Sequence, residues 1–373
     1  MRARTRGHGL RLAGALVALL PSSGAWGWGD QAHALVAGAA YNLLENQCLS
    51  ELYYANDQAL IQAALDPDAW RDTDPDEGAR HFLDIDAIRV PANFPHDLDV
   101  AIAQFGRDAV YQNGTVPWVA ESFYAQLVAA FRAINAGRAV ALSGNLSHYV
   151  SDAYSPYHAT INFDGQATGN PGIHLRYEAD MVDANAAAVQ RGIAARAQRV
   201  SAPSVLRDEI FSALLSGTAL VAGINQVDVQ ARGSISALWS AKGPEAMDRM
   251  AAGADLTAAL WEQAYAEAGA PILPGMSPGC AGSQAPDAGE PQEDAGTEPD
   301  TGVEADAGAA SDDAGVGAMD AQASTADDAG TSDPTPSANR GSSGCSATGD
   351  HSAIWAILGL GLFAWRAKRQ RRG

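Results

Sequence analysis

The chain has 373 residues, 47% of them hydrophobic, with a formal charge of −20. That length and apolar content allow a buried core and exclude a chain that is disordered throughout. Residues 28–280 carry 29 acidic against 14 basic side chains, a net −15, so a long polyanion would be bound against the average field and an extended basic groove for nucleic acid is excluded.

Residues 1–27 read as a secretory signal, with Arg2, Arg4 and Arg6 ahead of the apolar run Leu12 to Leu20. Cleavage after Gly27 would expose Trp28, and cleavage after Ala25 would expose Trp26. The body, residues 28–280, is one domain by length, and its apolar spacing predicts helices with short breaks and almost no alternating strand pattern. The predicted helices run Ala32 to Asn46, from Ser50 as cap to about Leu65, Leu98 to Gln112, Pro117 to Ala136 and Ala139 to Tyr154. They continue with Ile173 to Ala194, Ser204 to Leu215, Leu220 to Trp239 and Pro244 to Ala268. The fold class is therefore all-α, a multi-helix bundle in which ligands from different helices converge inside.

After the body, residues 281–344 consist largely of Asp, Ala, Gly, Pro, Ser and Thr with recurring Asp-Ala-Gly, and they hold no aromatic residue. This composition predicts a disordered linker. Residues 345–373 hold Cys345, an apolar run from Ala353 to Trp365, and a basic end with Arg366, Lys368, Arg369, Arg371 and Arg372. The run is short for a membrane span. The layout resembles the C-terminal sorting tails of myxobacterial surface proteins, and a plain single-span anchor is the other reading. Export also suits cysteine pairing: Cys48 and Cys280 are the only cysteines in the body and can form one disulfide, with two free thiols as the alternative.

The chemistry concentrates between His148 and Glu178. On a helix His148 and Asp152 stand four residues apart, on one face, and His174 and Glu178 repeat the relation; Pro156 stops the first helix and delivers His158 on a turn. Imidazole nitrogen and carboxylate oxygen without thiolate suit a catalytic zinc with open coordination positions. His33 begins the first helix, five residues after Trp28. Between Leu65 and Asp86 lies a carboxylate-rich loop that contains Asp68, Asp72 and His81-Phe-Leu-Asp-Ile-Asp. Its remaining acids read as solvated, or as a calcium-collecting group.

The pattern His148-x3-Asp152-x5-His158, then His174-x3-Glu178, resembles the bacterial zinc-dependent phospholipases C, related by fold to single-strand-specific zinc nucleases. The resemblance covers Trp28 to about Ala268. It implies three zinc ions: one on Asp68, His81, His148 and Asp152, one on His158, His174 and Glu178, and one on His33, the shared Asp152 and the free amine and carbonyl of Trp28. Asp68 is preferred to Asp72 as the ligand near His81, and it would also orient or deprotonate the attacking water. Tyr149, Tyr154, Tyr157, Phe163 and Phe82 read as core more readily than as substrate stackers, while Asn145 and Asp164 are candidate polar substrate contacts.

Three functions follow as expectations. The first is an exported, surface-tethered, monomeric phospholipase C that cleaves a phospholipid between glycerol and phosphate. The second is a zinc-dependent single-strand nuclease or 3'-nucleotidase, favoured by the short Trp28 to His33 spacing and weakened by the single Gly169-Asn170 where that branch has Gly-Gly-Asn. The third is a zinc-stabilised surface protein without turnover.

Overall fold

The computed structural model describes residues 28–87 and 94–282, and the statements below concern those residues. The expected secretory signal with Trp26, the tail and all but two residues of the expected linker lie outside them; residues 281–282 close a short 3-10 turn, Pro278–Gly282.

Among the described residues every regular element is helical and there is no strand. The helices α1 (Asp30–Leu43), α2 (Gln47–Ala55) and α3 (Asp57–Trp70) are followed, across a loop, by α4 (Leu98–Phe105) and α5 (Arg107–Gln112). Next come α6 (Val116–Arg132) and α7 (Ala136–Ala153), then two short helices, α8 (Ile173–Leu175) and α9 (Met181–Asp183), joined by a π-helical turn, Arg176–Asp180. The series ends with α10 (Ala186–Arg196), α11 (Leu206–Ala231) and α12 (Ile235–Glu267).

The boundaries depart from the periodic reading where caps and backbone specials intervene. Asn46, not Ser50, caps α2 by accepting from the Leu49 N–H at 2.9 Å, and a separate α3 follows. The predicted helix 98–112 breaks at Gly106, whose φ of 86° suits glycine and not a helix interior. The predicted helix 220–239 is divided differently: α11 runs unbroken from Leu206, and the chain turns at Arg232 and Gly233, both at positive φ. Pro244, expected to start a helix, lies inside α12. It is exposed, as is Ser240, so the Ser240 carbonyl that loses its N–H partner meets water.

Pro67 also lies inside a helix, but in the core. The predicted stop near Leu65 does not occur, and α3 continues to Trp70, carrying Asp68 on its last turn. Because Pro67 has no N–H, the Ala63 carbonyl four residues back lacks its helical donor; the Asn145 amide donates to it instead at 2.8 Å. The next carbonyl, that of Ala64, accepts at 2.8 Å from His148 Nδ1, one turn beyond Asn145 on α7. The proline thereby helps tie α3 to α7, and Asn145, a candidate substrate contact from sequence, is a buried structural group.

The bundle is organised around α7, in which residues 142–153 are all buried. It packs against α1, α3, α6 and α12. Close approach of α3 requires Gly144, since a Cβ there would lie 2.4 Å from the Leu60 carbonyl oxygen. Leu146, Tyr149 and Val150 on α7 are wholly buried, each stabilising the fold by roughly 1.5–3 kcal/mol. On the α12 side Trp261 Nε1 donates to the Ser143 carbonyl at 3.0 Å, and Trp261 meets Tyr53 edge to face at 5.0 Å. Cys48 and Cys280 form a disulfide, tying the segment after α12 to α2 across 232 residues. One helix, Leu206–Ala231, is long and apolar enough to cross a membrane by length and composition, yet it buries Phe211, Leu214, Asn225 and Asp228 inside the bundle.

Candidate metal centre

A helix buried on every side must find a partner for each polar group it carries. Of the polar groups on α7, His148 and Asp152 face a cluster of six side chains supplied from elsewhere in the chain. His33 comes from the first turn of α1 and Asp68 from the last turn of α3. His81 follows the 3-10 turn Glu77–Arg80, and His158 lies in the 3-10 turn Pro156–Ala159, capped by Ser155. His174 lies in α8, and Glu178 in the π-helical turn that follows it. The His174 to Glu178 spacing, read as ordinary α-helix, thus spans a wider turn, a feature frequent at functional sites. His174 Nε2 still lies 2.7 Å from Glu178 Oε2.

Asp152 is the hub and is fully buried. Its Oδ2 lies 2.9 Å from His81 Nδ1 and 3.2 Å from His148 Nε2, while Oδ1 lies 3.5 Å from His33 Nε2 and 3.6 Å from His158 Nδ1. The two oxygens therefore address different imidazoles, as a bridging carboxylate does. Asp68 Oδ1 is 3.7 Å from His81 Nδ1 and 4.0 Å from His148 Nε2. Asp72, the alternative, is exposed. Three triads bring one ligand atom per residue within 4.8 Å of one another: His33, His148 and Asp152; Asp68, His81 and His148; His158, His174 and Glu178. All eight side chains named from sequence are buried within these triads.

The hydrogen bonds decide which nitrogen lone pairs are available. His148 Nδ1 faces the Ala64 carbonyl, and His158 Nδ1 faces the His81 carbonyl at 2.5 Å; a carbonyl only accepts, so each Nδ1 carries a proton, which leaves Nε2 bare in the neutral ring. Ser151 gives its hydroxyl proton to the His148 carbonyl at 2.8 Å, so His33 Nδ1, 2.8 Å from the same Oγ, is the donor there and its Nε2 is bare too. The inward atoms His33 Nε2, Asp68 Oδ1, Asp152 Oδ1, Glu178 Oε2 and both nitrogens of His174 have no hydrogen-bond partner. Buried acceptors without donors are what a cation satisfies, and these His, Asp and Glu groups can hold a metal ion.

Electrostatics agree. Burial alone would raise the Asp152 carboxyl, but the imidazoles of His158 and His148 hold it well below the usual carboxylate range. Burial would lower His158, yet Asp152 and Glu178 push it up to about 9. The carboxylates thus attract positive charge onto the imidazoles, and a metal ion would replace those protons. His33, with His148 stacked on it at 3.8 Å, is driven well below its ordinary value by burial and by that neighbour.

Trp28 is fully buried, and its Nε1 donates to the Ser151 carbonyl at 2.9 Å, next to Asp152 in sequence. The Gly29 N–H donates to the Glu178 carbonyl at 3.4 Å, so the start of the body is held between the two halves of the cluster. Tyr149, Tyr154 and Tyr157 are buried, whereas Phe163 is exposed and meets His174 edge-on at 6.3 Å.

Four contributors were not singled out from sequence. Arg71 places Nη2 3.5 Å from Asp68 Oδ1, a cation beside the cluster. Ser151 orients His33 as described, and the Ser155 hydroxyl donates to Glu178 Oε1. Glu77, read with the solvated acids of its loop, is wholly buried. The sequence marks Ser155 as a cap before proline, but neither its carboxylate partner nor the burial of Glu77 leaves a local trace. No protein-family model matches the chain, and no curated protein matches it.

Proposed function

We propose that this protein is an exported zinc-dependent phosphodiester hydrolase, and that its reaction is that of a phospholipase C, releasing diacylglycerol and a phosphorylated head group. The observation that carries the reading is the set of inward, donorless ligand atoms gathered about Asp152. The ordered ligand pattern from His148 to Glu178, which resembles that of zinc phospholipases C, supports three zinc ions and a bundle of that type. Zinc, when bound, supplies a Lewis acid that acidifies water and offsets charge on phosphoryl oxygens.

The chain's own groups do the rest. Asp68, at the edge of the cluster, takes the proton of the attacking water as the water oxygen bonds to phosphorus; the bond to the glycerol oxygen breaks, and that oxygen takes a proton from solvent and leaves as the alcohol. Arg71, beside Asp68, faces the negative charge that grows on the phosphoryl group. Asp152 and Glu178 keep the imidazoles aligned. The net −15 of residues 28–280 favours a single phosphodiester over a nucleic-acid strand. Tethering to the cell surface through residues 345–373 completes the reading.

The test measures phosphocholine release from phosphatidylcholine and hydrolysis of single-stranded DNA, each before and after chelation and zinc restoration. Zinc-restorable lipid cleavage is expected. Cleavage of DNA alone moves the assignment to the nuclease reading, and zinc retained with neither activity moves it to a structural metal protein.

A further inference from the structure

Of the imidazoles around Asp152, His81 is the one whose Nδ1 comes closest to the carboxylate. That atom lies 2.9 Å from Asp152 Oδ2, 3.0 Å from His148 Nε2 and 3.7 Å from Asp68 Oδ1. Two nitrogens 3.0 Å apart need a proton on one of them or a cation between them, and when His148 Nε2 is unprotonated the proton falls to His81 Nδ1. Its tautomer therefore decides whether the Asp68, His81 and His148 triad can take a metal. No carbonyl settles it, unlike for His148 and His158.

The other nitrogen, Nε2, lies 3.2 Å from Glu77 Oε1, within ion-pair reach but outside hydrogen-bond alignment. Glu77 is wholly buried and held from two further sides: the Tyr149 hydroxyl donates to Oε1 at 2.5 Å, and Arg80 donates to Oε2 while pairing with Asp74 at 2.9 Å. A buried carboxylate is costly unless it is paired, and a carboxylate behind a metal-bound imidazole is a recurring way to fix its tautomer and raise its basicity.

We infer that Glu77 is a positioning residue for the metal centre: it accepts the His81 Nε2 proton and so presents His81 Nδ1 bare to the ion shared with Asp68 and His148. This rests on the metal reading and not on the choice of substrate. The Glu77 carboxylate, fixed by its ion pair with Arg80, holds the ring, while Asp68 and Asp152 remain free to ligate.

The experiment titrates cobalt(II) into the full exported chain after chelation and follows its visible absorption. In Glu77→Gln one cobalt site is expected to weaken by about 10- to 100-fold with an altered band, the other sites keeping their wild-type constants. Tyr149→Phe, which leaves the carboxylate facing His81, should lower thermal stability and keep every cobalt constant within about threefold of wild type. Wild-type constants in Glu77→Gln, or an equal loss in Tyr149→Phe, would overturn the inference. A wild-type chain that takes up no cobalt overturns the metal reading and this inference with it. Should Glu77→Gln not fold, imidazole nitrogen resonances of the zinc-loaded wild type decide: a proton on His81 Nε2 is expected, and one on Nδ1 refutes the role.

Discussion

Two buried carboxylates in this bundle show the difference between a polar network that closes on itself and one that waits for a ligand. Asp228, on α11, accepts from Arg176 through both oxygens at 3.0 and 2.6 Å and from the Asn170 amide at 3.0 Å. Asn225 and Tyr157 complete that network, which pins the segment before α8 to α11. Asp152 is as deeply buried, but imidazoles and not a guanidinium surround its carboxylate, and its Oδ1 has no hydrogen-bond partner. Burial of polar groups marks both places. Only the supply of donors separates them, and a deficit of donors is the physical signature of a cation site.

That contrast can be broken most directly at its two hubs. Asp152→Ala should abolish metal retention and lower hydrolysis by more than about 100-fold, beyond the loss typical of an outer-shell partner; metal content per chain and turnover together check it. Asp228→Ala should do the reverse. It removes the carboxylate partner of the half-buried Arg176 and takes one of its two acceptors from the Asn170 amide, costing about 1–3 kcal/mol in denaturant unfolding, while metal content stays at the wild-type value.

The charge difference predicts a pH signature confined to the first hub. His158 is raised to about 9, above its unfolded value of about 6.5, so in the metal-free chain its protonation stabilises the fold fully below 6.5, and that contribution is lost as pH rises through 9. The melting temperature of the chelated protein should fall across that window. In the loaded protein this fall should be absent, and calorimetry at about pH 7.5 should detect protons released as metal binds. A melting temperature of the chelated protein that is flat from pH 6.5 to 9 would refute the assignment.

The most local effect concerns the seam between α3 and α7. Asn145→Ala leaves the Ala63 carbonyl without a donor and should cost about 1–3 kcal/mol, with metal stoichiometry unchanged. A loss of metal in this variant would place Asn145 in the centre itself, against its observed role as a tie between helices.

Much of the helical layout was legible because apolar spacing and helix period coincide over long stretches such as Ala136–Ala153. Its errors fall where a single residue changes the backbone: Asn46 as a cap, Gly106 at positive φ, and Pro67 and Pro244 tolerated inside helices. Pro67 is the instructive one, since a rule about local hydrogen bonding predicts a stop, yet a side chain 78 positions away supplies the missing donor.

The His148 to Asp152 pair could be read by itself because four residues along an α-helix bring two side chains to one face, whatever surrounds them. Which separate segments would meet that pair, and with which nitrogen of each ring turned inward, depended on tertiary packing. The Glu77 carboxylate faces His81 from four residues away, but the Ala64 and His81 carbonyls and the Ser151 hydroxyl set their rings from positions 77 to 118 residues distant in the chain. Helix period carries no information over such separations, whereas the close fit of α1, α3 and the turns around Glu77 and Pro156 against α7 fixes both distance and tautomer.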